Sequence, residues 1–254
     1  MGRRVYLAAM PTKSSRELYL LERFLPELFQ EVYTLSQPAP PLPDAIIHVN
    51  GKKIGIEMTA LILDEQARER EAKQDAILNE AQKLFEEQLQ LPLHVTVNFS
   101  ELGNWKNLER RYIAILLADV VKRCVLGVKD FSENQAQFTI RTEAFIHPCI
   151  HSVSIFFLHR LTVPCWTPIT SFWVPSAPVE KIQEIINRKS KNVNGYLTGC
   201  GEVWLLLLET GSPSSYFDHF EKLQEVTFES DFSRTLIGRI SKGELLALQT
   251  KSVK

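Results

Sequence analysis

PDAIIHVNGKKIGIEMT, residues 43–59, reads as two short strands, Ala45 to Asn50 and Ile54 to Leu61, joined by a tight turn at Gly51. In the second strand Ile54, Ile56 and Met58 alternate onto one face, while Gly55, Glu57 and Thr59 share the other. An acid stands near each end, Asp44 before the first strand and Glu57 late in the second. The separation leaves room for two strands and a turn, so a bent hairpin can bring both carboxylates to one place. Converging carboxylates suit a hard divalent cation such as Mg²⁺ or Mn²⁺.

Working outward, Ser14 to about Ser36 has the period of a helix: Leu18, Leu21, Leu25, Leu28 and Val32 recur at steps of three and four, with Ser14 and Glu17 at capping-box spacing. PAPPLP, residues 38–43, is an extended connector. A charged helix over about 64–88, a strand LPLHVTVNFS and a helix over about 108–125 follow. FTIRTEAFI and SVSIFFLHR are expected to pair, and VPCWTPITSFWVPSAP reads as a loop. A helix from Val179 to about Tyr196 precedes EVWLLLLE, an apolar run expected of a strand covered on both faces. A short helix near 216–223 and a hairpin ending GELLALQT close the chain. The alternation predicts an α/β fold. A single domain over 1–254 is expected, with a core of about 14–61 and 179–254 and an inserted α+β segment of about 62–178.

Composition narrows the class without naming it. The 254 residues are 44% hydrophobic and 23% charged, as in ordinary globular chains, and the net charge of −1 restricts any polyanion site to a local patch. No stretch approaches the ~20 apolar residues of a membrane span, so no membrane partner is expected. The opening MGRRVYLAAMP reads as a first strand, its apolar run being too short for a signal-peptide core. Cys124, Cys149, Cys165 and Cys200 form no C-x-x-C pair and are read as reduced thiols of a cytoplasmic protein.

The residues PD, a hairpin ending IGIEMT and a preceding helix that carries glutamates resemble the core of the PD-(D/E)XK nuclease superfamily, which includes restriction endonucleases and Holliday-junction resolvases. The resemblance implies a restriction-endonuclease-like mixed sheet flanked by helices. It also implies Asp44 and Glu57 as ligands of Mg²⁺ or Mn²⁺, DNA as partner, and phosphodiester hydrolysis as the activity. A further carboxylate from the first helix belongs to the pattern, and Glu17 and Glu22 both qualify. The family's lysine would fall at position 59, where this chain has Thr59.

A substitute lysine is visible downstream. In VEKIQEIINRKSKNVNGYL the apolar positions Ile182, Ile186, Val193 and Tyr196 require a fifth member at 189, and that member is Lys189. A lysine on a buried stripe either snorkels or meets carboxylates. Lys73 is the competing candidate, but Gln74, Ile77, Ala81 and Leu84 form the inner stripe of its helix and leave it lateral. Without a working lysine the alternative is a catalytically inactive nuclease-fold module that binds nucleic acid or a protein partner, a homodimer included.

Three smaller patterns complete the reading. His147, Cys149 and His151 share one face if extended, but Pro148 favours a turn and no fourth zinc ligand is near. Lys106, Arg110 and Arg111 with Trp105, and Arg188 and Lys191 beside Lys189, are phosphate-contact candidates whose plainer reading is a solvated face. Trp166, Phe172 and Trp173 make the loop before Val179 aromatic, suited to a partner surface, a lid or core packing.

Overall fold

In a computed structural model the structure describes residues 13–100, 107–127, 137–141, 147–157, 163–170 and 172–252. The expected first strand lies outside them, as do Trp105 and Lys106. The chain forms two compact units, Met1–Asp64 with Val174–Lys254, and Glu65–Trp173. One domain with an insertion near 62–178 is the sequence expectation; the inserted segment is a compact unit with its own core.

The chain opens with α1 (Lys13–Glu22), α2 (Leu25–Leu28) and β1 (Tyr33–Ser36). The single helix expected over 14–36 is therefore corrected. Pro26 opens a separate one-turn helix, and Val32, the last member of the helical stripe, is 94% exposed. The residues after it pair antiparallel with β2 (Ala45–Val49), which turns into β3 (Lys52–Ala60). Asn50 and Gly51 both have positive φ, 50° and 74°, as a two-residue hairpin turn with the sheet's own twist demands.

The inserted unit holds α3 (Glu65–Glu86), β4 (Leu93–Phe99), α4 (Asn107–Gly127), β5 (Gln137–Arg141), β6 (Ile150–Phe157) and β7 (Cys165–Ile169). Its sheet runs β5-β6-β4-β7. Ile77, Leu78 and Phe85 of α3 and Ile113, Leu117 and Val121 of α4 bury against Val95, Val97, Val153 and Ile155. The β5–β6 pairing is as expected. β7 falls inside the stretch read as a loop: Pro168 is admissible because β7 lies at the sheet edge, and Trp166 turns inward against Phe85. Phe172 and Trp173, by contrast, are exposed, Trp173 at 92%.

Beyond the insertion come α5 (Val179–Ser190), α6 (Val193–Tyr196), β8 (Glu202–Glu209), a 3-10 helix at Phe220–Glu225, β9 (Thr227–Glu229), β10 (Arg234–Arg239), β11 (Glu244–Ala247) and β12 (Gln249–Lys251). The short helix expected near 216–223 is this 3-10 helix. The first unit's sheet has the order β1-β2-β3-β8-β10-β11 and is mixed: β3, β8 and β10 are parallel, the others antiparallel. β8 is covered on both faces. Trp204, Leu206 and Leu208 meet Leu21, Phe24 and Leu25 on one side, and Val203, Leu205 and Leu207 meet Ile182, Ile185 and Ile186 on the other. Each such side chain contributes about 1.5–3 kcal/mol by leaving water. The result is an α/β fold with a mixed sheet flanked by helices.

At the ends of β8 and β10, Glu209 and Arg239 are register partners, 0% and 2% exposed. Their Oε2 and Nε lie 2.8 Å apart, in charge contact but without hydrogen-bond alignment. Arg239 also donates to the Phe217 carbonyl at 2.8 Å and lies 4.4 Å from the Phe220 ring centre, while the Gly211 N–H donates to Glu209. Burial raises the Glu209 pKa, with the Gly211 amide and Arg239 opposing the shift. Removing one member of such a pair strands the other in a dry site. Arg239→Met is expected to lower unfolding free energy by about 3–5 kcal/mol in urea titrations. The double variant Glu209→Leu, Arg239→Met should recover part of that; a single variant as stable as the parent would contradict the account.

Candidate functional site

The hairpin register brings the two acids together. Ala45 pairs with Ile56, so one step further Asp44 stands opposite Glu57. Side chains directly opposed across an antiparallel pair have Cβ atoms about 4.5–5.5 Å apart, and like charges there repel. Asp44 bends over β3 and does not point into bulk solvent: its Oδ2 accepts the Met58 N–H at 2.7 Å. That carboxylate takes over where the backbone ladder of β2 stops.

Glu57 points to the face of the sheet covered by α5. The neighbouring strand shows why: Glu57 pairs with Leu205, which belongs to the α5-side core, whereas Ile56 and Met58 belong to the opposite one. Lys189 comes down from α5 on the same side as Ile185 and Ile186, and its Nζ lies 2.6 Å from Glu57 Oε1. The side chains are 23% and 6% exposed, so water screens this pair far less than a surface bridge.

Tyr196 closes the group. Its hydroxyl lies close enough to Glu57 to favour the ionised carboxylate, and the Asn192 side-chain amide approaches the same hydroxyl at 3.4 Å. Burial raises the Glu57 pKa; the Lys189 hydrogen bond opposes this and the Asp44 charge adds to it. The Tyr196 hydroxyl is pushed up to about 12, chiefly by burial and by the Glu57 charge, so it remains a donor at neutral pH.

The donor set fits a hard divalent cation. Mg²⁺ is held by one or two carboxylates together with water and substrate oxygens. Asp44 keeps Oδ1 uncommitted among the described residues. Among those residues no group of three His, Cys, Asp or Glu side chains converges, and these two acids are the carboxylates that the described part of the site offers.

The remaining candidates fare differently. Glu22 is exposed on α1, whose apolar side packs against the face of the sheet opposite Glu57, and among the described contacts it meets neither acid. The Glu17 side chain lies outside the described set. Lys73 sits half-buried on α3 in the inserted unit. Pro148 and Cys149 form a turn, as Pro148 suggests, with His147 Nδ1 2.8 Å from Cys149 Sγ. Burial pushes that thiol up to about 12, which keeps it from the thiolate form zinc prefers. Tyr196 and the Met58 amide are the members that sequence reasoning did not assign to the site, although the Ile186–Lys189–Val193–Tyr196 stripe already aimed Tyr196 at the same face. Comparison with protein-family models, curated proteins and solved structures finds no match.

A carboxyl whose pKa is raised in the folded state stabilises the fold below its ordinary value of 4.5 and loses that contribution as pH rises through the raised value. Glu57→Gln does not titrate. Its melting temperature relative to the parent protein is therefore expected to climb as pH rises from about 4.5 towards neutrality, then level off. A melting temperature that falls relative to the parent over that range would contradict the burial and repulsion described here.

Proposed function

We propose that this chain is a divalent-metal-dependent DNA endonuclease of the PD-(D/E)XK type. The observation that carries the reading is the Lys189 ammonium 2.6 Å from Glu57, beside Asp44, in a chain with threonine where the strand lysine belongs. Topology supports it as well: a helix, a three-stranded antiparallel meander, and a crossover helix leading to a strand parallel to the third are the order of elements that such a core would need. A cross-strand pair of acids has no packing rationale, and a cation between them relieves their repulsion.

In this reading Asp44 and Glu57 hold the metal. When bound, Mg²⁺ or Mn²⁺ supplies a coordinated water of lowered pKa and neutralises charge on the phosphate. Lys189, charged and hydrogen-bonded to Glu57, is placed to orient an attacking water or a phosphate oxygen. The Tyr196 hydroxyl, next to Glu57, helps to keep that carboxylate ionised.

The second reading, a nuclease-fold module without activity that binds nucleic acid or a protein, is favoured by Thr59 and by the net charge of −1. The two separate in a cleavage assay. Purified protein is expected to cut DNA with Mg²⁺ or Mn²⁺ and not with chelator. Asp44→Asn and Glu57→Gln should abolish cutting in folded protein; asparagine keeps an acceptor for the Met58 amide while removing charge. Lys189→Met should slow cleavage about 100-fold or more, the scale of losing a positioned proton-handling group, with Lys73→Met unchanged. Full cleavage by folded Asp44→Asn and Glu57→Gln would remove this site as its source. DNA binding with no metal-dependent cleavage would leave the second reading.

A further inference from the structure

The segment that delivers Asp44 runs through a slot. A Cβ added at Gly55 would stand 2.8 Å from Pro43 Cγ and 3.0 Å from Cys200 Sγ. Pro43, Gly55 and Cys200 are all buried. Pro43 Cγ can shift only within the pucker of a buried ring, less freely than the end of a flexible side chain, so at the shorter distance the ring or the backbone that carries it must give way. On the far side a Cβ at Gly199 would come within 2.7 Å of Leu42 Cδ2. Leu42 and Pro43 therefore pass between β3 and the turn that follows α6, and the next residue is Asp44. Glycine inside a strand is destabilising by roughly 0.5–1 kcal/mol relative to alanine. Gly55 lies within β3 with no left-handed φ to require it, so what it provides is space.

We propose that Gly55 is a positioning residue of the site: its missing side chain seats Pro43 against β3, and that seat, closed by Cys200, aims Asp44 at Glu57. The proposal rests on the reading of Asp44 and Glu57 as one metal site. Its reporter is the Met58 amide, which donates to Asp44 Oδ2 and needs neither metal nor substrate to be observed.

The test compares the Met58 amide by NMR, and Mn²⁺ affinity by paramagnetic broadening, in the parent protein, Gly55→Ala, Pro43→Ala with Gly55→Ala, and Asp44→Ala. Asp44→Ala marks the amide without its carboxylate. In Gly55→Ala the Met58 signal should move towards that reference and lose exchange protection. Mn²⁺ affinity should fall about 10- to 100-fold, the usual effect of disturbing what orients a metal ligand. Removing the proline ring in the double variant should restore both. A folded Gly55→Ala with parental amide and affinity overturns the proposal, as does a double variant that restores neither. If Gly55→Ala alone fails to fold, the double variant decides by the same criteria. A parent protein that binds no Mn²⁺ would refute the metal-site reading, while the Met58 amide still decides the positioning role.

Discussion

Two carboxylates opposed across a hairpin repel each other, and Glu57 is buried besides. The structure holds this arrangement by placing an ammonium on it from a helix 132 residues further along the chain. Desolvation and the Asp44 charge both act against ionised Glu57, and Lys189 and Tyr196 act for it. A group of charges with opposing demands is poor as a stabilising device, because isolated buried ion pairs seldom outperform apolar packing. Perturbed carboxyls with specific partners concentrate at functional sites, which is the physical reason to read this one as more than a structural bridge.

The contrast with Glu209 and Arg239 sharpens the point. That pair is more deeply buried, and it joins one acid to a guanidinium ringed by Tyr216, Phe217 and Phe220. Its partners include the Phe217 carbonyl, the Gly211 amide and Glu244 of β11, so it ties the chain after β8 onto the strand ends. The half-exposed Glu244 also reaches Arg239 at 3.5 Å, and the Lys242 charge favours ionised Glu209, so two acids there stand against two bases. At Glu57 two acids face one lysine, leaving one negative charge over, and a bound cation would meet that imbalance.

Much of this was legible in the sequence because it is local. Alternation along β3 assigns Glu57 its face, the asparagine–glycine turn closes the hairpin, and a helical stripe with one lysine in it points Lys189 inward. What periodicity does not carry is pairing partner. Leu25 and Leu28 continue the stripe of α1 although Pro26 divides the helix, and Tyr33–Ser36 becomes a strand because β2 is there to pair with it. β7 was hidden for the reverse reason, since Pro168 removes a ladder donor and so argues against a strand unless its edge position is known. The Pro43–Gly55 contact is equally invisible in one dimension. Glycine between two isoleucines reads as a weak spot in a strand until the chain crossing over it is seen.

The approach of a helix lysine to Glu57 follows from the topology. β3 and β8 are adjacent and parallel, with Glu57 beside Leu205. Parallel neighbours need a crossover, and a crossover helix packs over the face of the strands it joins. A residue on the inward side of α5 is thus directed at the α5-side face of β3, where Glu57 points, and lysine has the stem length to reach a carboxylate from the layer above. Glu65–Trp173 is inserted in that same crossover. Loop-closure entropy grows only as the logarithm of length, and the insertion buries its own core, so it lengthens the connection without disturbing the helix that ends it. The amine beside Glu57 thus comes from α5, while position 59 on β3 carries a half-buried threonine.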